Sequence, residues 1–561
     1  MKKLFLFFLL TSLPAIAQQF DKKWDAVIEL EKAGKIKSAS TLVDKIYNKA
    51  VSSNNEEQLI RCFFYNSKYI QTVEEEAQTK ILNNLKRQIK TVSEPSKAIL
   101  NYVYAKCLND YYLENNGKIY YRTTTDSSAT DFLLWSNKTF KKQIGIAFAK
   151  SITNEAILKK TSLKSYQSLF DYYYPEKLKE QNLYEYLLNE NINYLTQTLN
   201  SWNIETSIFA KSKDTLYGDS NTFQSLNLDL VKDNNLKKLI TLYQKKENNN
   251  NSLDNRFSRM QFCHTYLNKN ATDYLNALDQ IQETGIPLLL LQDIQVEKAN
   301  LYTTLASKDS HPDYNQKAIA LFDTILSTKS RSNAYKRAFQ RKHELEKKSL
   351  SIQLLEKSYN NENTRTFVIY KNINTLSISY FKIDQKTISK LNDWRMHRKK
   401  DSIAATIIEK NPLAKSITNA LPNKNDYFSS STEILLPQLE TGCYLVYFES
   451  DSDIKNTKAF AYETITVTNL TVLTDYKNET NYYQILDRKT GKPIEKASIK
   501  FNNTEIVTDK NGYASSKRDD SIQNYFDIIV TKENDTLTVS NRNRYENNTS
   551  YKKSTDAKIE F

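Results

Sequence analysis

The feature that most constrains this chain is a change of hydrophobic period near Lys348. Upstream, Ala39, Leu42, Val43, Ile46, Tyr47 and Ala50 recur at three- and four-residue spacing, and Ala26, Val27 and Leu30 do the same before Gly34. That spacing puts each set on one face of an amphipathic helix. Downstream, Leu376, Ile378 and Tyr380 alternate with Ser377, Ser379 and Phe381, and Cys443 to Phe448 follow Gly442, as in strands that line a sandwich. A stretch with a helical period would turn much of its apolar surface to water if it were laid out as a strand. The chain is therefore multidomain, α first and β second, and its 561 residues are enough for three or four domains.

Gly34 reads as the break between two antiparallel helices, a pair that resembles a degenerate tetratricopeptide-type hairpin. The pattern returns at Leu288 to Ala306, and again at Ala318, Ala320, Leu321 and Ile325 after His311-Pro312. Residues 18–348 are expected to form a helical-hairpin (TPR-like) array. It is punctuated by Asn-rich loops at Ser52 to Asn55 and Asn248 to Asn251, where Asn and Ser side chains compete for backbone hydrogen bonds. Within the β region, the amphipathic segment Thr387 to Glu409 predicts a helical insertion. A second β unit starts near Leu470, with strands at Tyr482 to Leu486 and Ala497 to Phe501 and turns at Thr490-Gly491-Lys492-Pro493 and Asp509-Lys510-Asn511-Gly512. Gly512 supplies the positive φ that the second turn needs. The polar stretch Asn541 to Lys558 is expected to be disordered, with the tail proper at 546–561.

The chain opens with Met1-Lys2-Lys3, an apolar run from Leu4 to Leu10, and Ala15-Ile16-Ala17 before Gln18. A basic start, a short apolar core and a small-x-small site in that order make residues 1–17 a signal peptide. The run is too short to span a bilayer, and no cysteine follows the cleavage site to accept a lipid. The expected mature protein begins near Gln18 and is exported to the periplasm or cell surface, with no integral membrane span. Without Lys2 and Lys3 the formal charge of +14 becomes +12, and the basic residues are interleaved with 65 acids. A nucleic-acid groove needs clustered Lys/Arg with stacking aromatics, whereas the densest run, Arg395 to Lys400, lies within one amphipathic stretch. No nucleic-acid partner is expected.

No catalytic constellation emerges. His264, His311, His343 and His397 are isolated, and none stands at ligand spacing from another His or a Cys, so neither a metal nor a cofactor is expected. Cys263-His264 comes nearest; adjacent helical residues point to different sides, which makes it a core thiol beside a surface imidazole. Cys62, Cys107, Cys263 and Cys443 lie far apart, which excludes a small-domain disulfide framework and points to buried free thiols. Cys62 with Cys107 is the one pair worth testing. There is no Gly-x-Ser-x-Gly elbow and no phosphate-cradling Gly loop, so the chain is not expected to be an enzyme. Most of the 37 Tyr and 24 Phe fall on apolar faces. Tyr172-Tyr173-Tyr174 and Tyr120-Tyr121 are exceptions, because consecutive rings cannot all face inward; some mark a contact patch or pack on a neighbouring domain.

The stretch Leu486-Asp487-Arg488-Lys489-Thr490-Gly491-Lys492-Pro493-Ile494, with Ala497 and then Thr508-Asp509-Lys510-Asn511-Gly512-Tyr513, resembles the D-x-x-T-G-K-P-x-x-x-A … T-D-x-x-G signature of macroglobulin-type and carboxypeptidase-regulatory-like sandwiches. Its structural turn residues are Asp487, Thr490, Gly491, Pro493, Asp509 and Gly512; turn glycines and a φ-fixing proline report fold, not chemistry. The helical portion is similar at Trp24, Leu30, Gly34, Ser38-Ala39, Ile46, Ala50, Gln58 and Tyr65, then at Ala98-Ile99-Leu100, Arg122-Thr123 and Leu183-Tyr184-Glu185-Tyr186. Together these resemble the N-terminal part of alpha-2-macroglobulin family proteins of Bacteroidetes-type bacteria.

The resemblance implies a macroglobulin-like sandwich with a helical insertion at 349–469 and a small regulatory-like sandwich at 470–545. It also implies a place in a protease trap, an endopeptidase inhibitor in which a bait segment is cut and a Cys–Gln thioester often reacts. Here no cysteine is followed by Gly-Glu-Gln and no bait segment is evident, so the expectation is a non-enzymatic scaffold whose partner is a protease or envelope protein. The alternative is a free-standing adaptor that binds a protein or peptide on its hairpin array. The chain ends at Ile559-Glu560-Phe561, about where the family's next domain opens, which suggests a truncated product or a split gene.

Overall fold

A computed structural model describes residues 20–53, 55–73, 77–122, 131–164, 166, 182–199, 204–452, 457–477, 479–502, 504–517 and 525–542. The stretch read as a signal peptide, Tyr172-Tyr173-Tyr174, Thr123 and the residues from 543 onward lie outside the described residues, whereas Asn541 and Arg542, expected to be disordered, end a strand. The chain divides into two compact units, 1–277 and 278–561.

The first unit is helical. Helix α1 (20–32) turns at Gly34, whose φ of 71° is open to glycine, into α2 (Ile36–Ser52), followed by α3 (Glu56–Val73), α4 (Ala77–Gln88) and α5 (Ser96–Glu114). Trp24, Val27, Ala39, Val43, Ile46, Ala50 and Cys62 are buried together, and the Trp24 indole N–H donates to Gln58 Oε1 at 2.6 Å. Ala26 is exposed, so that stripe is carried by Trp24, Val27 and Leu30. The Asn-rich break near 250 is shorter than its composition predicts: the helix Asn234–Asn249 takes in Asn248 and Asn249 before the chain turns.

Further along this unit, the fully buried Arg259 donates from Nε to Glu247 Oε1 at 2.6 Å and from Nη2 to the Gly218 carbonyl at 2.8 Å. It also donates from Nη1 to the Leu216 carbonyl, and its guanidinium lies 4.5 Å from the Phe223 ring centroid. A buried cation needs this many partners to offset its lost hydration.

The second unit opens with helices Leu288–Leu305, Tyr314–Ser327 and Asn333–Glu346, which share a core of Val296, Ala299, Ala318, Phe322, Ile325, Ala334 and Ala338. Ala320 faces solvent, and Ile319 and Phe322 turn inward beside Ala318. These helices are grouped with the strands and not with the earlier helices. Asn315 and Gln316 donate to the carbonyls of Asp426 and Asn425, Asn372 donates to that of Leu345, and Lys348 pairs with Asp451.

Strands β1 (Ser349–Leu354), β2 (Lys357–Ser358), β3 (Thr364–Lys371), β4 (Thr375–Ile383), β5 (Leu413–Ala420), β6 (Ser430–Leu436), β7 (Gly442–Ser450) and β8 (Phe460–Val467) form two sheets, β1-β3-β6 and β2-β8-β7-β4-β5. Their facing sides bury Val368, Tyr370, Leu376, Ile378, Tyr380, Val446 and Phe448. The larger sheet is covered on its other face too. Phe381, Ile383 and Leu445 pack against the insert, which is two helices, Gln385–Asn392 and Lys400–Lys410, rather than one amphipathic run. A register shift between Tyr380 and Phe381 accompanies the burial of both rings.

Two residues, Thr468 and Asn469, then lead to β9 (Leu470–Lys477), β10 (Thr480–Asp487), β11 (Ser498–Phe501), β12 (Thr504–Val507), β13 (Tyr513–Lys517), β14 (Tyr525–Lys532) and β15 (Asp535–Arg542). Sheets β13-β10-β9 and β12-β11-β14-β15 enclose Tyr483, Ile485, Ala497, Ile499, Ile528 and Val530. No helix among the described residues is long and apolar enough to cross a membrane.

Candidate functional site

The signature turn that leaves β10 is closed by its own aspartate. Asp487 Oδ1 accepts the Thr490 N–H and the Thr490 hydroxyl, each at 2.8 Å, and the Lys489 N–H at 3.2 Å. These bonds, the hydroxyl first, hold the Asp487 carboxyl below the usual carboxylate range. The Gly491 N–H returns to the Asp487 carbonyl at 2.8 Å with Gly491 at φ 69°, and Pro493 bridges back to Leu486. The bonds of the turn use no side-chain atom of Arg488 or Lys489.

Both reach the first sandwich. The Arg488 guanidinium lies 4.4 Å from the Tyr359 ring centroid and donates from Nη2 to the Lys357 carbonyl at 3.2 Å, while Lys489 pairs with Glu362. The linker joins in. The Arg488 N–H donates to the Asn469 carbonyl at 2.7 Å, Asn469 Oδ1 accepts the Asn360 N–H at 3.1 Å, and the Asn469 N–H donates to Asp535 Oδ2 at 2.7 Å. A two-residue connection braced this way fixes one sandwich on the next.

The other half of the signature turns inward. Asp509 Oδ1 accepts the N–H groups of Asn511 and Tyr513 at 2.8 and 2.9 Å. Gly512, at φ 74°, accepts the Ile485 N–H on its carbonyl at 2.8 Å, and a Cβ there would stand 2.5 Å from the Ile485 carbonyl oxygen and 3.1 Å from Pro493 Cβ. All six predicted turn residues thus meet at one end of the small sandwich. The sequence analysis quoted Arg488 and Lys489 without a role and missed Tyr359 and Asn469; the available signal was the pair of cations that follows the capping aspartate.

Beside this junction lies a polar cleft of about 420 Å³ lined by Glu356, Gln385, Asn392, Asp393, Thr466 and Asp527, among others. The Cys443 thiol behind it contacts Gln385 Oε1 at 3.1 Å, and burial pushes its pKa up, which weakens it as a nucleophile. In the first unit, a groove of about 320 Å³ runs over α3. Phe63, Asn66, Ser67 and Ile70 form its floor at i, i+3, i+4 and i+7, Tyr47 of α2 and Arg87 of α4 line its sides, and none of its lining residues is acidic.

The remaining sequence candidates are scattered. All four cysteines are free, Cys62 and Cys107 included. Residues 263–267 form a π-helical turn, and His264 is not a surface imidazole: it stacks on Tyr274 at 4.5 Å, half-buried, with its pKa lowered by burial. Tyr120 and Tyr121 are 64% and 82% exposed. No group of three or more His, Cys, Asp or Glu that could hold a metal occurs among the described residues.

No family model matches the chain, and no curated protein matches it. Among solved structures, a native alpha-2-macroglobulin fragment from Escherichia coli spanning domains MG0-NIE-MG1 is similar at 12% identity and a TM-score of 0.26, covering 34% of this chain and 63% of its own. A fragment spanning NIE-MG1 is similar at 12% identity and 0.25, with 35% and 97% covered. Red sea bream transglutaminase is similar at 11% identity and 0.19, with 41% and 32% covered. The chain spans 63% of the length of the first of these structures. Likeness of this degree carries no weight for function.

Proposed function

We propose that the chain is a non-enzymatic exported scaffold, the N-terminal part of an alpha-2-macroglobulin-like endopeptidase inhibitor, acting in the periplasm or at the cell surface. The observation that supports this reading is the use of the signature turn. Its capped aspartate and glycines shape the small sandwich, and its Arg488 and Lys489 brace that sandwich on the one before it. A string of sandwiches held in fixed succession suits a protein that must enclose a partner. Without a Gly-Glu-Gln thioester sequence or a bait segment in this stretch, inhibition would depend on parts beyond it.

The test is an immunoblot of native cell fractions with an antibody against residues 18–277, with the N-terminal residue of the captured protein determined. The expected result is an envelope-fraction species well above 65.3 kDa that begins at Gln18. A stable, abundant species near 65.3 kDa would displace the trap reading. The reading that takes its place is an adaptor, favoured by the acid-free groove over α3, and it predicts a peptide-dependent rise in the Tm of the first unit.

A further inference from the structure

We propose that the loop from Asp393 to Lys400 is an attachment site for anionic lipid surfaces. It is the turn between the two helices inserted after β4. The inward side of that insert is already used: Ile388, Leu391, Ala404 and Ile407 lie against Phe381, Ile383 and Leu445 of the larger sheet. What the insert leaves in water is Trp394, 79% exposed, whereas Trp24 and Trp135 are buried. An exposed indole offers a partner a large apolar surface and one N–H donor.

The indole stands on an ordered tip. Asp393 Oδ1 accepts the Arg395 N–H at 2.9 Å, and the Asp393 carboxylate is gripped by the Arg395 guanidinium at 2.9 to 3.1 Å. The Met396 and His397 N–H groups return to the carbonyls of Asp393 and Trp394 at 3.0 and 3.2 Å. In the same segment as the indole, Arg395, Arg398 and Lys399 are all exposed, and Lys386 and Lys390 are exposed on the preceding helix. Asp393 pairs with Arg395, Asp384 caps the first of the two helices through the Thr387 N–H at 2.7 Å, and Asp401 accepts the Tyr462 hydroxyl at 2.7 Å, so Lys386, Lys390, Arg398, Lys399 and Lys400 stand against two remaining carboxylates, Asp384 and Asp401.

One exposed indole in a turn that also carries exposed cations matches a plane that is negative at its surface and apolar just beneath, the headgroup layer of an anionic bilayer. A single-stranded nucleic acid would call for a groove and successive stacking rings, whereas this tip offers one ring. The basic run is not part of one amphipathic helix; the turn breaks it and puts the tryptophan at the break. One ring and a few cations make a reversible attachment.

The test is co-sedimentation of the full mature chain with vesicles of equimolar phosphatidylglycerol and phosphatidylcholine, against vesicles of phosphatidylcholine alone. The expected result is binding to the anionic vesicles at least about tenfold tighter than to the neutral ones, with a blue shift in tryptophan emission. Trp394→Ser is expected to weaken binding about tenfold, and Arg398→Gln and Lys399→Gln about fivefold each. All three positions are exposed, so an unchanged Tm separates lost binding from lost fold. No binding to anionic vesicles, or equal binding to both kinds, would overturn the assignment. So would Trp394→Ser binding as tightly as the parent; if the arginine and lysine changes still weakened it, the loop would be a site for an acidic polymer instead.

Discussion

In the turn at 487–493 and the turn at 508–513, an aspartate side chain accepts two backbone N–H groups and a glycine takes the positive φ. The second turn is packed into its own domain: Gly512 sits against the Ile485 carbonyl and Pro493, and the buried Thr508 hydroxyl bridges the Ala497 N–H and the Ile494 carbonyl. The first is open beneath its glycine, where an added Cβ at Gly491 would meet nothing within 4 Å, and it spends its side chains on the neighbouring sandwich. Turns of one chemistry therefore serve different ends. A motif that specifies local backbone leaves its unconstrained positions available, and those are where contact between domains is written.

Substitutions at three positions bear on this contrast. Gly512→Ala should have the largest effect, about 2–4 kcal/mol, because it adds both backbone strain and a backbone clash. Hydrogen exchange in β10 and β11 should accelerate, and a cost under about 1 kcal/mol would mean that the turn is not packed. Arg488→Ala should cost about 1–2 kcal/mol, through the lost ring contact and carbonyl bond, without unfolding the small sandwich. Limited proteolysis at Thr468–Asn469 should increase while exchange in β10 stays slow; if β10 loosens as it does with Gly512→Ala, Arg488 belongs to the core. Gly491→Ala should cost least, about 1 kcal/mol from φ alone, with Gly491→Asn milder still. An equal loss at Gly491 and Gly512 in thermal melts would erase the distinction between the two turns.

Legibility from sequence followed the strength of the local rule. The change of period located helix and strand because burial on one face leaves a repeating record, and Gly34 and Gly512 were readable because positive φ narrows the choice of residue. Stripes made of alanine are less certain in phase: Ala26 and Ala320 add little apolar surface, and both face solvent. His264 was misplaced because its turn is π-helical, so the angle between neighbouring side chains is no longer that of an α-helix. The Arg259–Glu247 pair left no trace, since a charged pair twelve residues apart looks like surface until the carbonyls of Leu216 and Gly218 are brought to it by folding. At the junction the turn residues Asp487, Thr490, Gly491 and Pro493 were visible and the contacts across it were not, because Tyr359 and Glu362 lie more than a hundred residues before their partners.

The burial of the thiols has a consequence for how this protein ages. Folding pushes the pKa of Cys62 and Cys263 up to about 12 and that of Cys107 to about 11, with Cys443 raised as well. Oxidants and disulfide exchange act on the thiolate, so burial slows their attack on the native chain, most of all at the fully buried Cys62 and Cys263. The unfolded chain offers four ordinary cysteines. Oxidation of Cys62 and Cys263 is thus weighted towards the interval before the cores close around them.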